Sequence, residues 1–192
     1  MTTGRPRASS REVLSEAACE LFLERGYHAT SVTDIAGRAG VSRSSFFNYF
    51  ESKEAILWSS LDERIERLRA QVPLADPVRG VAELCSGLTP DSLALALVHA
   101  EAMGVEDELE RAAAVRQARI AQAVDVSLQR AGVAPVRAAV AGAAHAAAVM
   151  IAIERWARGG PGRRPLSDEL DGALRVAAVT LPADGGTARG LD

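Results

Sequence analysis

The chain has 192 residues and a formal net charge of −3, and 48% of its residues are hydrophobic. This length allows one large domain, or a small domain joined to a medium one, and the charge excludes a polycation that coats nucleic acid. Residues 1–53 nevertheless carry seven basic and six acidic groups, so the excess of negative charge lies in the remainder of the chain.

Almost every segment has the apolar periodicity of a helix, and the sustained alternation typical of strands is missing. The first predicted helix begins at a capping-box pattern, Ser9 with Glu12, and ends at Gly26, a residue suited to the left-handed C-cap conformation. Ser31 and Ser42 have the position of N-caps for a second and a third helix. The sequence therefore predicts three helices before residue 51.

A longer fourth helix follows Ser52 and runs to about Gln71, where Pro73 and Pro77 interrupt the pattern. The remaining predicted helices cover residues 78–88, 89–103 (opened by Thr89-Pro90), 106–130, 135–158 and 167–182, the last capped by Ser167. We thus expect an all-α protein of about nine helices. The predicted domains are 8–68, with a helix-turn-helix at 31–50, and 69–182, followed by a flexible tail at 183–192.

The second and third helices, joined by a tight turn at Gly40, have the arrangement of a helix-turn-helix. Phe46 and Phe50 are four residues apart, so they share one face and can close a small core. The opposite face carries four side chains that suit a DNA major groove: Arg43, Ser44, Phe47 and Asn48. Arginine can read guanine, asparagine can read adenine, and an aromatic ring can contact a thymine methyl.

Several hydroxyl groups lie near the predicted helix N-termini, where they can cap the helix or bind phosphate oxygens. These residues are Ser31, Thr33, Ser42 and Ser45. For Ser31 and Ser42 the two roles are equally favoured and compatible. For Arg43 and Asn48 the DNA-binding role is favoured, because no structural requirement places these side chains there.

The run GYHATSVTDIAGRAGVSRSSFFNYFESKEAIL, residues 26–57, resembles the DNA-binding signature of TetR-family (TetR/AcrR) transcriptional regulators. This resemblance covers about the first 60 residues and implies an Ω-shaped homodimer that inserts helix three into the major groove of a palindromic operator. It also implies that the C-terminal helices dimerise and bind a small molecule.

Carried over residue by residue, the resemblance implies base contacts from Arg43, Ser44 and Asn48. Phe47 and Tyr49 match aromatic positions, and Tyr49 corresponds to one that often contacts the DNA backbone. Lys53, the single lysine of the chain, matches a phosphate-binding lysine; the alternative for it is a solvated charge. Two departures are that Phe47 lacks a tyrosine hydroxyl and that Asn48 stands where histidine is frequent, so base preference cannot be copied from other members.

The C-terminal half contains five candidates for a ligand pocket: His99, Met103, His145, Met150 and Trp156. For His145, on an apolar helix, a satisfied core residue is favoured over a ligand contact. The small residues of the run 138–153 allow close helix packing, and with residues 167–181 this run is predicted to form the dimer face; an internal core helix is the alternative. A mostly apolar pocket suggests a hydrophobic or amphipathic effector.

The run 138–153 is shorter than a membrane span requires, and the N-terminus has no signal-peptide pattern. Cys19 and Cys85 are isolated from each other, which favours ordinary thiols in a reducing compartment over a disulfide or a zinc site. No catalytic, metal-binding or cofactor motif is present. The leading hypothesis is a cytoplasmic, ligand-responsive repressor; the alternatives are a helical interaction module without effector response and an enzyme.

Overall fold

The computed structural model describes residues 10–160 and 163–180, and in these ranges the chain is helical and contains no strand. The prediction of an all-α fold is confirmed, with ten helices in the described ranges instead of nine. In chain order the helices are α1 Ser10–Arg25, α2 Val32–Arg38, α3 Arg43–Phe47, α4 Lys53–Ala70, α5 Pro77–Cys85, α6 Ser92–Val98, α7 Ala100–Met103, α8 Glu106–Arg130, α9 Pro135–Arg158 and α10 Leu166–Thr180.

The first three helices form a small bundle around an apolar core. Phe22, Ile35 and Phe46 are completely buried, and Phe50 packs on Phe46 with 5.7 Å between the ring centroids. The inward orientation predicted for Phe46 and Phe50 is confirmed. Gly40 has a φ of 69°, a conformation that a Cβ would penalise, and it turns the chain from α2 into α3.

Side-chain caps set the beginnings of α2, α3 and α4. The hydroxyls of Ser31, Ser42 and Ser52 each accept a hydrogen bond from the backbone N–H three residues later, at 3.1–3.2 Å. Each therefore satisfies an N–H group that the helix itself cannot pair. The three predicted N-caps are confirmed. The capping box predicted at Ser9 lies outside the described residues.

Helix α4 connects the N-terminal bundle to the rest of the molecule. Its buried side chains, among them Ile56, Leu61 and Ile65, belong to one hydrophobic core that continues from α1 to α10. Because this core has no break at α4, the boundary at residues 68 and 69 remains a prediction.

The predicted helix at 89–103 is wrong in its start and in its continuity. Asp91 is the N-cap of α6, since its carboxylate accepts hydrogen bonds from the N–H groups of Leu93 and Ala94. The backbone of His99 leaves the helical region, with φ −114° and ψ 26°, and separates α6 from α7. The carbonyl of Met103, at the end of α7, accepts a hydrogen bond of 2.7 Å from the N–H of Tyr27.

Helices α8 and α9 form an antiparallel hairpin whose bounds are those predicted. At Gly142 an added Cβ would lie 2.5 Å from the carbonyl oxygen of Ala121, so the two helices approach too closely for any other residue there. By length and composition α9 could cross a membrane, and one such helix is weak evidence; in this structure it packs against α8 and α10, with 39% of its apolar window buried.

Helix α10 begins at Leu166, one residue before its predicted cap. Ser167 lies in the first turn, where the N–H of Asp168 bonds to the carbonyl of Pro165, so Ser167 does not cap the helix. The predicted end at residue 182 and the tail at 183–192 lie outside the described residues.

Candidate nucleic-acid interface

Helix α3 presents a polar and aromatic face to solvent. Arg43, Ser44 and Asn48 are exposed, and Phe47 is 48% exposed although it is a large apolar side chain. Phe46, its neighbour in sequence, is fully buried. Phe47 and Tyr49 are exposed close together beside Arg43 and Asn48, and such a grouping suits a face that becomes covered on binding.

Arg43 and Phe47 form a pair along α3. The guanidinium carbon lies 5.7 Å from the centre of the Phe47 ring, and the edge of that ring meets the buried ring of Phe46. The pair holds the arginine near the helix surface while its donors remain available. Tyr49, 43% exposed, follows directly after α3.

Three hydroxyls meet at the N-terminus of α3. Ser42 Oγ lies 2.8 Å from both Ser44 Oγ and Ser45 Oγ, and it accepts the N–H of Ser45. These groups are exposed or half-buried, so the structure brings together two of the four predicted hydroxyls, those of Ser42 and Ser45, with that of Ser44 and leaves all three accessible. Thr33 is exposed in the first turn of α2.

Ser31 has a complete capping box with Asp34. Ser31 Oγ donates to Asp34 Oδ2 at 2.6 Å, and the same oxygen accepts from the backbone N–H of Ser31 at 2.9 Å. The hydrogen bond from Ser31 lowers the pKa of Asp34 below its ordinary value. Because the hydroxyl proton is already donated to a carboxylate, a phosphate contact by Ser31 would compete with the cap.

Lys53 is partly buried and folds back on the loop between α1 and α2. Its Nζ donates to the carbonyls of Tyr27 and Thr30 at 2.7 and 3.0 Å and lies 4.0 Å from the centre of the Tyr27 ring. Partial burial lowers the pKa of Lys53. An ammonium group has three donors, so one remains for a phosphate or for water, and the phosphate contact stays a prediction.

Arg38, at the end of α2, ties this helix to α1. Its guanidinium donates to Glu20 at 3.0 Å and to both oxygens of Glu24 at 2.7 and 2.9 Å. The hydrogen bonds that Arg38 donates lower the pKa of Glu24. Arg38 is therefore engaged within the bundle, and it belongs to the support of α2 rather than to the exposed face of α3.

The five candidates for a ligand pocket do not share one cavity. Trp156 lines a cavity of about 640 Å³ between α5, α9 and the start of α10. His99 is exposed, and Met103 is fully buried. Met150 is partly buried against the core, and His145 Nδ1 lies 2.7 Å from the carbonyl oxygen of Ala141, within its own helix. None of these four lines the cavity at Trp156.

The sequence reasoning missed one buried charged residue. Arg116, 8% exposed, occupies the middle of the buried stripe of α8, between Ala112 and Ile120, and pairs with Asp62 of α4. A signal for it exists: an arginine at a position where the helical period requires an apolar residue. The partner could not be found in this way, since it lies 54 residues away.

The sequence that forms this surface is similar to that of a known protein family. Residues 14–58 match the family model described as "Bacterial regulatory proteins, tetR family". The matched range includes the exposed face of α3 and the first turns of α4.

Among curated proteins, the chain is 41% identical over 66 residues to the HTH-type transcriptional repressor DhaR of Mycobacterium sp. (strain GP1), which is 34% of this chain and 33% of the relative. It is 32% identical over 106 residues to the HTH-type transcriptional repressor KstR2 of Mycolicibacterium smegmatis, which is 54% of this chain and 52% of the relative. The chain thus spans between a third and about half of these curated relatives.

Among solved structures, the chain is similar to Thermus thermophilus FadR, a TetR-family transcriptional repressor solved in complex with lauroyl-CoA. The identity is 30%, the TM-score is 0.54, and the match covers 94% of this chain and 99% of that one. NalD, a repressor of a multidrug efflux pump in Pseudomonas aeruginosa, has 22% identity and a TM-score of 0.56 over 92% of this chain and 98% of its own, which shows the shared fold.

Proposed function

Because the chain belongs to the TetR family of bacterial transcriptional regulators, we propose that it is a ligand-responsive regulator that represses transcription by binding double-stranded DNA. In this proposal α3 enters the major groove, and a small hydrophobic or amphipathic effector releases the protein from its operator. The protein acts in the cytoplasm, without a membrane partner.

The observation that carries this proposal is the exposed face of α3. Arg43 can donate two hydrogen bonds to a guanine, and Asn48 can pair with the major-groove edge of an adenine. The half-exposed Phe47 ring suits a thymine methyl or a sugar, because it has no hydroxyl for a phosphate. Ser44 adds a short donor on the same face.

Phosphate contacts would fix the register of this helix on the duplex. The candidates lie around α3 and at the N-termini of α2 and α4: Ser31, Thr33, Ser42, Ser45, Tyr49 and Lys53. The hydroxyl cluster at Ser42 and the ring of Tyr49 are accessible. Ser31 is the least suited of the set, since its proton is donated to Asp34.

A homodimer would present two copies of α3 to a palindromic operator. The outer surface of α9 and α10 supports this, because several apolar side chains there are exposed, among them Val140, Ile151 and Val176. Ile151 and Val176 also line a groove of about 530 Å³ between the two helices, with charged residues at its edge. A mixed surface of this kind is typical of a protein–protein interface.

The cavity at Trp156 is our candidate for the effector site. Its volume of about 640 Å³ falls in the range of small-molecule sites, roughly 300–1,000 Å³. Apolar side chains such as Leu88 and Leu170 line it together with polar groups. The complex of a family member with lauroyl-CoA supports an amphipathic effector.

The turn that lines this cavity is attached to α4. Arg64 of α4 donates to the carbonyl of Leu84 at the end of α5 and to those of Ser86 and Gly87 in this turn, at 3.2, 2.5 and 3.0 Å. A ligand that displaces this turn would therefore displace α4. Two half-sites lie roughly 34–36 Å apart, or a multiple of it, so a ligand that favours another separation of the recognition helices shifts the population away from the DNA-bound state.

Arg43→Ala tests the base-reading role. We expect about a tenfold or larger loss of affinity for an operator selected from random duplexes, because one good arginine–guanine pair contributes about 1–3 kcal/mol of discrimination. The base preference at one position of each half-site should relax. Operators are obtained by selection with the wild-type protein, and binding is measured by gel shift.

Arg130→Ala is the matched control, since this exposed arginine at the end of α8 lies outside the proposed interface and its loss changes the net charge equally. Equal losses on specific and random DNA for Arg43→Ala would contradict base reading by Arg43.

A further inference from the structure

Three side chains of α4 converge on one residue of α8. Glu54, Trp58 and Asp62 are spaced four residues apart, so they form one stripe along α4. All three contact Arg116, which stands on the facing surface of α8. The contact therefore joins the helix that leads out of the DNA-binding bundle to the long helix of the C-terminal half.

The guanidinium of Arg116 is held from several directions. Nε and Nη2 donate to the two oxygens of Asp62 at 2.9 and 2.6 Å, and Nη1 donates to the carbonyl of Ala112 at 2.9 Å. Its central carbon lies 4.3 Å from the centre of the Trp58 ring, and Nη1 is 3.6 Å from a carboxylate oxygen of Glu54. A planar fork with these partners favours a defined orientation of α4 on α8.

Stability alone does not account for this arrangement. Removing an arginine and a carboxylate from water carries a desolvation cost that the pairing can barely offset, and well-packed apolar residues often serve as well. The surrounding positions of α8, Leu109, Ala112 and Ile120, are apolar in this way. Compared with an apolar contact, the ion pair defines the direction and the register in which α4 packs on α8.

The start of α4, at the opposite end of this linkage, is bound to the loop between α1 and α2. Lys53, the first residue of α4, is bound to the carbonyls of Tyr27 and Thr30 in the loop between α1 and α2. The start of α4 therefore moves with the bundle that carries α3. We therefore expect a change in the orientation of α4 at Asp62 to change the position of α3.

We propose that Arg116 is a positioning residue for DNA binding: its fork on Asp62 sets the angle of α4 on α8 and thereby the separation of the two recognition helices. This inference rests on the proposed function, in which two half-sites are bound at once. It gives a part in the coupling between the C-terminal half and the duplex to a residue outside both the DNA interface and the effector cavity, in addition to the contacts of Arg64 with the cavity turn.

The test compares the spacing preference of variants on one operator. Half-site spacing is lengthened and shortened in single base pairs from the operator that the wild-type protein selects. The variants are Arg116→Lys, which keeps the charge but loses the fork, and the pair Asp62→Leu with Arg116→Met, which replaces the ion pair by apolar side chains of similar size. Arg119→Met is the control, because Arg119 links the same two helices through Glu66 at 3.6 Å on the exposed surface.

We expect both test variants to lose about tenfold in affinity at the preferred spacing, a typical size for coupling between sites. They should also bind operators one or two base pairs longer or shorter nearly as well, whereas affinity for a duplex with one half-site stays unchanged. Thermal unfolding monitored by circular dichroism identifies the folded variants, and the apolar pair provides the comparison if Arg116→Lys is unfolded.

Folded variants that keep the wild-type spacing preference would overturn the role of Arg116 while leaving the proposed function intact. A loss of half-site affinity equal to the loss on the full operator would also overturn it, since it would indicate damage to α3 itself. A wild-type protein that selects no duplex from the random pool would instead overturn the proposed function.

Discussion

Two cations hold α4, and each lies on an aromatic ring. Lys53 lies 4.0 Å from the ring centre of Tyr27 at the start of the helix, and Arg116 lies 4.3 Å from that of Trp58 near its middle. Lys53 belongs to α4 and reaches into the N-terminal bundle. Arg116 belongs to α8 and reaches across to α4.

The partners of the two cations differ in charge and in distance along the chain. Lys53 binds two neutral carbonyls that lie 26 and 23 residues away, and burial lowers its pKa. Arg116 binds a carboxylate 54 residues away with both arms of its fork. The Lys53 contact attaches the start of α4 to the N-terminal bundle. The Arg116 contact attaches α4 to the C-terminal half. Lys53 thus supports the DNA-binding bundle from within, whereas Arg116 couples this bundle to the C-terminal half.

The largest effect on stability is expected from Arg116→Met. It leaves the partly buried Asp62 without its partner, and breaking a buried ion pair costs about 3 kcal/mol. The free energy of unfolding from urea titration checks this. Adding Asp62→Leu should restore most of the loss, because the unpaired charge is then gone.

Arg119→Met serves again as the comparison. Its pair with Glu66 is exposed, and such pairs contribute less than about 1 kcal/mol. A loss of unfolding free energy as large as that of Arg116→Met would mean that the burial of Arg116 does not explain the size of its effect on stability.

Lys53→Met should cost about 1–2 kcal/mol, since two hydrogen bonds and a ring contact are lost. Affinity for every duplex should fall alike. If the third donor of Lys53 binds a phosphate, the slope of log affinity against log salt decreases in magnitude by about one. Fluorescence anisotropy at several salt concentrations measures this slope.

Lys53→Arg keeps the charge and should retain the wild-type slope. An unchanged slope in Lys53→Met would show that the residue supports the loop between α1 and α2 without a phosphate contact. Lys53 would then only hold α4 in the N-terminal bundle, in contrast to the coupling role proposed for Arg116.

A smaller effect than that of Lys53→Met is expected at the capping box, which holds the same loop by a local contact. Ser31→Ala removes the cap of α2 and should cost about 1 kcal/mol. Equilibrium unfolding at neutral pH measures the loss. A loss as large as that of Arg116→Met would remove the distinction between local and long-range contacts.

The acid dependence of this box follows from Asp34. Its hydrogen bond from Ser31 lowers its pKa below the ordinary value of 3.8. A depressed carboxyl pKa stabilises the fold above that ordinary value, and this contribution is lost as the pH falls through the lower pKa of the folded state. The thermal midpoint of the wild-type protein should therefore fall more steeply below pH 3.8 than that of Asp34→Asn. Parallel curves would contradict the assignment.

These differences explain what the sequence could predict. The caps at Ser31, Ser42 and Ser52 and the inward face of Phe46 depend on residues three or four positions apart, so the local pattern was sufficient. The bounds of α8 and α9 follow from glycine and proline signals in the same way.

Long-range pairing was not visible in the sequence. Thr89-Pro90 gave a plausible helix start, but the carboxylate of Asp91 provides the cap, and the break at His99 accompanies a contact between Met103 and Tyr27 in a distant segment. The five pocket candidates were chosen by residue type, which does not tell where the helices converge. The structural role of Arg116 was missed because it depends on pairing with Asp62, which is distant in the sequence.

The hydrogen bond from the N–H of Tyr27 to the carbonyl of Met103 involves no side chain. Exchange of either residue for any amino acid except proline at position 27 leaves both groups in place. This backbone hydrogen bond can therefore persist while the side chains around it diversify. The ion pair of Arg116 with Asp62, in contrast, can be lost in a single substitution. A regulator built in this way can acquire a new response without losing the attachment of its two halves.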